Sequence, residues 1–446
     1  MLARSRSRSQ SATMLIPKGS SIARSRSCIF NASVLVAFLL EAVVAKSRFD
    51  AVVGGWYGHM VLTILFAIVL LILGLSARNT RLPTMPPPRP VSIVLGATLA
   101  WAIVCCVVQP NAIANLLYLI VFATNIYVCL YIAPGLLLPY LRHRSVFVYG
   151  LLLFVVSLVN VISALSGDGG AFSEGRLQGL LADPLHAGTV AMITSILILW
   201  AILQSGGRRW YLWPAWAVAM CALVMTRTRS FIFGCTIGSL ALLAVGAQRH
   251  TASGRYAREL AFVFLLATIT FGIVISYSPN VLPRLRAHLR IEGDSEEILE
   301  GRMIHWQLGV LHVKAYPIFG RGPMAKFGNA TDPTVNTYEM ISCFDNTWLT
   351  MAQSYGIPGS ALFAASVLAM LVLSLRGCGT MPLLAVGLLT AGIGSSFSSM
   401  WAVSFGSGGD RAMWLILGLA LATLRSQRFP YMHTGYPTTE KRRCGA

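Results

Sequence analysis

The chain has 446 residues, of which 55% are hydrophobic and only 11% are charged, and its formal net charge is +19. This composition departs from that of soluble proteins in the direction of a membrane protein with many spans, so a soluble fold is excluded. The positive charge by itself would suit a nucleic-acid-binding protein. The position of the basic residues along the chain argues against a nucleic-acid partner.

Apolar runs of about 20 residues, the length needed to cross a bilayer, recur along the chain. They are continuously apolar and not alternating, so we predict helices and not the strands of an outer-membrane barrel. The predicted fold class is all-α, a polytopic membrane helix bundle of about 12 transmembrane helices with a long, partly helical periplasmic loop. The pair of runs on either side of Arg227 and Arg229 could form one interrupted segment. The twelve runs are 28–45, 59–77, 91–108, 113–133, 145–165, 185–203, 210–226, 231–247, 258–277, 346–375, 380–402 and 411–424.

Basic residues indicate the orientation. If the N-terminus is cytoplasmic, the cytoplasmic segments carry 22 Lys and Arg, against 6 in the short outer loops. Long loops are exempt from the positive-inside rule, so the long outer loop is left out of this comparison. We therefore predict that both termini are cytoplasmic and that the Arg-Ser repeat at the start lies near anionic lipid headgroups. Membrane lipids, and not nucleic acid, are the expected partners of this charge.

The predicted organisation follows from these spans. The nine cysteines show no metal-ligand spacing, and most lie in apolar runs, so we expect no metal site. The predicted parts are a disordered basic cytoplasmic tail at 1–27, transmembrane helices 1–9 at 28–277, a periplasmic loop with an amphipathic helix at 278–342, transmembrane helices 10–12 at 343–424 and a cytoplasmic tail at 425–446.

The long loop contains a predicted helix over 295–314, which Pro317 follows. Two stripes recur at helical spacing along it. Arg302 and His305 are close enough on one stripe to meet one ligand. His305 and His312 are two turns apart, about 10 Å, which is too far for a shared metal ion. The apolar stripe contains Ile298, Ile304, Leu308 and Leu311, and the other contains Arg302, His305, Gly309 and His312.

Ionisable residues collect at the predicted outer ends of the spans. Charges in or beside a span are costly, so each is a functional candidate. Several arginines and a carboxylate on one rim suit an anionic, amphipathic ligand held at the bilayer surface. Each residue also has an alternative: an arginine can reach lipid headgroups without a partner, and Asp345 can cap the helix that follows it. The candidates are Arg176, Asp183, His186, Arg227, Arg229, Asp345 and the pair Asp410-Arg411.

Three segments together resemble a known family. They are the T-x-T-R-S element at Thr226–Ser230, the stretch GRMIHWQLGVLHVKAYPIFGRGP at Gly301–Pro323 and the stretch DNTWLTMAQSYGIPG that starts at Asp345. Their order and placement resemble the O-antigen ligase and Wzy-type polysaccharide polymerase family, most closely its exopolysaccharide-polymerase-like members.

The resemblance implies a bundle of about twelve helices in the bacterial cytoplasmic (inner) membrane, with a periplasmic active site. Such proteins carry glycan from undecaprenyl pyrophosphate to an acceptor and need no metal or nucleotide, so no cofactor is expected. The implied partners are a lipid-linked glycan donor, a glycan acceptor and membrane lipids. A chain-length regulator and other polysaccharide-assembly proteins are further candidates.

The resemblance also implies site residues. Arg229 matches the arginine of the family's T-x-S-R element, and Arg302 matches the arginine that opens the loop helix. The family's H-N-x-x-L-x-x-x-x-x-x-G motif falls on Asp345, Asn346, Leu349 and Gly356, with Asp345 where ligases usually have histidine. This departure favours the exopolysaccharide branch.

The chemistry of the transfer gives each residue type a role. Arginine binds phosphate through a fixed, permanently charged fork, so Arg229 and Arg302 are predicted to stabilise the pyrophosphate leaving group. Asp345 is predicted to be the general base for the acceptor hydroxyl. The predicted substrate-binding residues are Asn346, His305, Arg227, Arg176 and Arg321.

Three functions remain from the sequence. The favoured one is a polymerase of lipid-linked repeat units in surface polysaccharide or exopolysaccharide biosynthesis. The second is a ligase that moves finished glycan to lipid A core or another acceptor. The third is a transporter or lipid flippase, and few ionisable residues at the predicted midplane argue against it, because transporter sites usually lie there.

Overall fold

The computed structural model describes a defined part of the chain. It comprises 87–135, 143–166, 172–173, 176–181, 184–248, 254–263, 306–323, 346–377, 379–397 and 408–428, with parts of 61–72. The predicted first span and most of the run 258–277 lie outside the described residues.

The described residues are mostly helical. Helix α2 continues through a π-helical turn at Val128–Ile132, and 254–263 and 306–315 are also helical. Two short strands, β1 (Phe172–Ser173) and β2 (Arg176–Leu177), pair antiparallel. The labelled helices are α1 (Arg89–Val108), α2 (Ala112–Tyr127), α3 (His143–Leu165), α4 (Pro184–Ser205), α5 (Leu212–Met225), α6 (Arg229–Ala247), α7 (Thr347–Arg376), α8 (Thr380–Ser396) and α9 (Gly408–Arg428).

The helical fold class is confirmed, and each labelled helix coincides with a predicted run. Among the described residues, 5 helices are long and apolar enough to cross a membrane: α1, α2 with its extension to Gly135, α4, α6 and α7. The total of about twelve spans stays a prediction. The runs beside Arg227 and Arg229 form two separate helices, α5 and α6. The small β1–β2 hairpin was not predicted.

Helix α4 is the centre of the bundle. Nearly all of its side chains from Ala187 to Leu203 are buried, and it contacts α3, α5, α6, α8 and α9. Helices α1 and α7 pack together at one side of the molecule, and α2 packs on α1. Because α1 keeps a broad exposed apolar surface, with Ile93 at 68% and Val107 at 61% exposure, its outer face fits contact with lipid.

Close packing of α6 on α8 depends on two glycines four residues apart. A Cβ on Gly234 would lie 2.6 Å from the carbonyl oxygen of Ala391, and one on Gly238 would lie 2.5 Å from that of Gly387. Small residues at this spacing let membrane helices approach backbone to backbone. The approach fixes α6 and α8 antiparallel, which places the start of α6 beside the end of α8.

The bundle has two ends, and contacts at each identify them. The end that contains Arg229 also contains Gln109, which bonds Ser354, and Asn346, which bonds Phe397; we call it the Arg229 end. At the opposite end, the Trp200 indole donates to the carbonyl of Thr380 at 2.8 Å. The starts of α2, α4, α6, α7 and α9 therefore lie at the Arg229 end.

Candidate functional site

The turn Thr226–Arg229 joins α5 to α6, and we call it the arginine turn. The Thr226 hydroxyl donates to the Leu223 carbonyl at 2.6 Å. A threonine hydroxyl has one hydrogen, so in the 2.6 Å contact between the Thr226 and Thr228 hydroxyls the donor is Thr228. Both threonines are buried. Their side chains hold the turn from inside the protein.

The two arginines of the turn alternate with these threonines. Arg227 is half-buried and has a φ of 52°, in the left-handed region that non-glycine residues rarely adopt. Arg229 is the first residue of α6 and is exposed. Since unusual backbone conformations cluster at functional sites, the conformation of Arg227 adds weight to this turn as a site.

Helix α4 packs directly under the arginine turn. A Cβ on Gly188 would lie 2.8 Å from the Phe231 ring and 3.3 Å from the Thr226 hydroxyl, so no larger residue fits there. The start of the central helix α4 thus packs against the arginine turn. The contact is made at Gly188, the last residue of the segment GRLQGLLADPLHAG.

The β1–β2 hairpin brings a third arginine to the turn. The Arg176 Nε donates to the Thr226 carbonyl at 3.2 Å. The hairpin is fixed to the bundle by the buried Leu177 and by the Leu180 amide, which donates to the Asn160 side chain at 2.9 Å. The structure therefore groups Arg176, Arg227 and Arg229, which the sequence placed on one rim. Their role in binding stays a prediction.

Asn346 begins α7 and has a structural role. Its φ of −147° is extended, and its side-chain oxygen accepts a bond from the Leu349 amide, which makes it the N-cap. Its amide nitrogen also donates to the Phe397 carbonyl at 3.1 Å. The cap that the sequence offered as an alternative role for Asp345 is thus supplied by Asn346.

The positions of Asn346 and Arg229 are related through α8. Phe397 directly follows α8, and the antiparallel packing of α6 on α8 puts that end beside the start of α6. Asn346 and the arginine turn therefore lie at the same end of the bundle. The other predicted site residues, Asp345, Arg302 and His305, lie outside the described residues.

The second region that contains residues of the family-like motifs lies at a kink in α7. Tyr355 (φ −129°, ψ 15°) and Gly356 (φ 73°, ψ 175°) are not helical, and Pro358 follows. Because proline has no N–H and the kink removes further helical bonds, carbonyls in the preceding turn need other donors.

The end of the long loop supplies those donors. The Arg321 amide donates to the Gln353 carbonyl at 2.7 Å, and the Gly322 amide donates to the Ser354 carbonyl at 3.2 Å. In return, the Ile357 amide donates to the Pro317 carbonyl at 2.8 Å. The motifs P-I-F-G-R-G-P and Y-G-I-P-G are therefore two halves of one backbone contact.

Helices α1 and α2 complete this contact, and we call the whole assembly the clamp: Trp101, Gln109, Asn115, 317–322 and 353–357. The Gln109 amide donates to the carbonyls of Ser354, at 2.8 Å, and Phe319. The Trp101 indole donates to the Tyr355 carbonyl at 2.9 Å and stacks on Phe319, with ring centroids 5.7 Å apart.

Gly356 is required in the clamp for two reasons. Its φ is in the left-handed region, and any Cβ would collide with the carbonyl of Ile318. The glycine that ends the family-like motif is thus explained by backbone packing.

Arg321 belongs to the clamp and not to the arginine turn. Its guanidinium lies over the Tyr316 ring, 5.9 Å from the ring centroid. Partial burial, and then the nearby Arg321, lower the pKa of His312 below its ordinary value, so His312 is neutral at pH 7. The substrate-binding role predicted for Arg321 has no support from this position.

Sequence reasoning missed the clamp residues of α1 and α2, because it searched for ionisable groups and these are neutral. Gln109 and Asn115 are buried amides at the ends of apolar runs, and that polarity was the available signal. Arg411, left out of the predicted site although it was noted on the rim, is 2% exposed near the start of α9. Among the described residues, no cluster of three or more His, Cys, Asp or Glu could hold a metal ion.

Comparison with known proteins identifies the family of this region. Residues 214–364 match the family model described as O-antigen ligase. No curated protein matches the chain. The matched segment runs from α5 through the kink of α7 and includes the arginine turn and both halves of the clamp that lie in the loop and in α7. The family resemblance inferred from the sequence is confirmed over residues 214–364, where the chain is similar to the O-antigen ligase family.

Proposed function

We propose that the protein is a polymerase of lipid-linked oligosaccharide repeat units in surface polysaccharide or exopolysaccharide biosynthesis, acting at the periplasmic face of the bacterial inner membrane. The observation that carries the proposal is the arginine turn. Arg227 and Arg229 lie on a turn held by buried threonines, and Arg176 donates to the Thr226 carbonyl of that turn. The turn lies at one end of a membrane bundle whose residues 214–364 match the O-antigen ligase family model.

The turn suits a pyrophosphate leaving group. When the C1–O bond of the donor sugar breaks, its electron pair passes to the pyrophosphate, whose growing charge needs fixed cationic donors. Arginine provides a planar, permanently charged fork for phosphate oxygens. The threonine hydroxyls and the Arg176–Thr226 bond position the turn before substrate arrives. Arg229 and Arg302 are the proposed phosphate ligands.

Asp345 is the proposed base. The acceptor hydroxyl oxygen attacks C1 and forms the new glycosidic bond, and its proton passes to the Asp345 carboxylate, on the face of the sugar opposite the leaving group. Asn346 supports this role because its own side chain is engaged as the helix cap and in the bond to Phe397. The cap fixes the start of α7, and Asp345 is the residue immediately before the cap residue in the chain.

The orientation of the site rests on charge. Arg89, Arg208, Arg209 and Arg376 lie at the end of the bundle opposite Arg229. Basic residues in short connections favour the cytoplasmic side, which supports a periplasmic Arg229 end.

The second candidate is a ligase of the same family. The description of the matching family model, O-antigen ligase, favours it. The aspartate at 345, where ligases usually have histidine, is the reason that we place it second.

A deletion strain with its lipid-linked glycans profiled separates these functions. We expect single lipid-linked repeat units to accumulate on the periplasmic face, and restoration of polymer by the wild-type chain. Accumulated long lipid-linked chains would instead identify a ligase. Glycans retained on the cytoplasmic face would identify a flippase and overturn the proposal.

A further inference from the structure

The helix at 306–315, here called the loop helix, packs on the protein with its less apolar side. Gly309 is buried and His312 is half-buried, whereas Val310 is 44% and Leu311 is 60% exposed. The sequence grouped Leu308 and Leu311 as the apolar stripe, which would ordinarily pack inward. The structure turns the stripe of Gly309 and His312 inward and turns Leu311 outward.

The exposed apolar surface continues from the loop helix into the clamp. Tyr316 is 47% and Ile318 is 55% exposed, and Ile357 on α7 is 54% exposed. The bond from the Ile357 amide to the Pro317 carbonyl makes these neighbours parts of one surface. Such a patch on a protein surface marks an interaction site.

The same surface is continuous with the lipid-facing side of the bundle. Toward its Gln109 end, α1 exposes Ile103 at 50%, Val104 at 46%, Val107 at 61% and Val108 at 61%. Gln109, which follows Val108, belongs to the clamp and donates to the Ser354 carbonyl. Among the described residues, the exposed apolar side chains of α1 therefore reach the residue before Gln109, where the clamp begins.

Helix length places the clamp at the edge of the hydrocarbon layer. Helix α1 has 20 residues and starts at Arg89, and the part of α7 from Ile357 to its last residue, Arg376, also has 20 residues. Both lengths correspond to about 30 Å, the thickness of a bilayer core. With Arg89 and Arg376 among the headgroups of one leaflet, the clamp lies at the boundary of the other leaflet.

We propose that the loop helix lies flat in the headgroup–acyl boundary of that other leaflet, with Val310, Leu311 and Ile318 facing lipid. Lys314 is exposed on the same side of the helix, one turn from Leu311. An apolar face with a lysine at its margin is the arrangement of an interfacial helix, because the lysine stem covers apolar surface while its ammonium group meets anionic headgroups.

This position would also serve the reaction, and that consequence rests on the proposed function. The sequence predicts Arg302 and His305 on the stripe of His312, and in the structure His312 faces the protein. A helix anchored at headgroup level would hold that stripe at the depth where the pyrophosphate of a lipid-linked donor lies.

Fluorescence quenching tests the placement. An environment-sensitive fluorescent amino acid is incorporated at position 311 of the full chain, which is then reconstituted in vesicles of phosphatidylethanolamine and phosphatidylglycerol. The quenchers are lipids with a nitroxide close to the headgroup, lipids with a nitroxide deep in the acyl chain, and aqueous iodide. The same residue at Ile103 is the deep-lipid reference, and at Ser166, exposed at the end of α3, it is the aqueous reference.

We expect the label at 311 to lose more fluorescence with the shallow nitroxide than with the deep one, and less with iodide than the label at Ser166. A label at Val310 should behave in the same way and serves if the first variant folds poorly. Quenching at 311 by iodide as strong as at Ser166, with none by either lipid, would overturn the proposal. No glycan transfer is needed, so this result is independent of the polymerase proposal.

Discussion

The arginine turn and the clamp both lie in motifs by which the chain resembles the O-antigen ligase family, yet they are built differently. The turn is held from inside by threonine hydroxyls and presents arginines outward. The clamp is held by backbone amides and carbonyls, two buried amide side chains and a stacked aromatic pair. The first arrangement places charge where a ligand can meet it, and the second satisfies the backbone of a kinked helix.

This difference teaches that residues within one family-like pattern need not share one role. Arg229 and Arg321 are both arginines in matched motifs at the same end of the bundle. Arg229 begins a helix on a charged turn, whereas the Arg321 backbone closes the clamp and its side chain lies on Tyr316. We therefore expect changes at the turn or its partners to affect transfer, and changes in the clamp to affect folding first.

The largest effect is expected at Asp345. Because general bases contribute about 10²–10⁴-fold to rate, Asp345→Asn should reduce polymer formation at least ~100-fold. The melting temperature in detergent should stay the same, since Asn346 is the helix cap. Its neighbour gives the matched contrast: Asn346→Ala should lower stability by about 1 kcal/mol through loss of the cap. Normal polymer yield from Asp345→Asn would remove the base role.

In the clamp, Gly356→Ala should be the most damaging change. The new methyl group would collide with the Ile318 carbonyl in a left-handed conformation, at a cost of about 2–4 kcal/mol. Gly206→Ala is the control, because Gly206 has a φ of 56° and open space around its Cβ position. It should cost only about 1 kcal/mol. Equal losses of thermal stability in the two variants would show that the clamp contact contributes nothing.

Gln109→Leu should have a smaller effect on stability. It removes the donor to the Phe319 and Ser354 carbonyls and should cost about 1–3 kcal/mol, as expected when a buried acceptor is left unbonded. Gln307→Leu, at an exposed position of the loop helix, is the control and should be nearly neutral. Proteolysis of the long loop should accelerate in the first variant alone. Unchanged proteolysis would contradict the role of Gln109.

The smallest effect is expected from pH. Burial and Arg321 lower the pKa of His312, so below about pH 6.5 the detached loop helix binds a proton more readily than the docked one. Docking should therefore weaken as pH falls from 7 to 5. The protection factors of the amides in 306–315, which correct for the slower intrinsic exchange at low pH, should fall. His312→Gln should remove this dependence. A pH dependence that survives in the variant would assign it to other groups.

Sequence patterns predicted the helices well and their contacts poorly. Continuous apolar runs define spans, so α1 to α9 could be located, and charge at span ends led to Arg176, Arg227 and Arg229. The clamp could not be predicted, because Gln109 and Ser354 are 245 residues apart in the chain and their bond depends on how α1 packs on α7. The outward side of the loop helix could not be predicted, because spacing gives two stripes but not the surroundings that each one meets.

The most direct test is a pair of arginine-to-lysine variants in the deletion strain. Lysine keeps the charge but lacks the fork that binds phosphate through two bonds. Arg229→Lys should reduce polymer by ~100-fold or more, as does the loss of a fixed donor to a developing anion. Arg321→Lys should leave polymer close to the wild-type amount, since its backbone amide makes the clamp bond. Near-normal polymer from Arg229→Lys, or a loss from Arg321→Lys as large as the one expected at Arg229, would contradict the separation of the two regions.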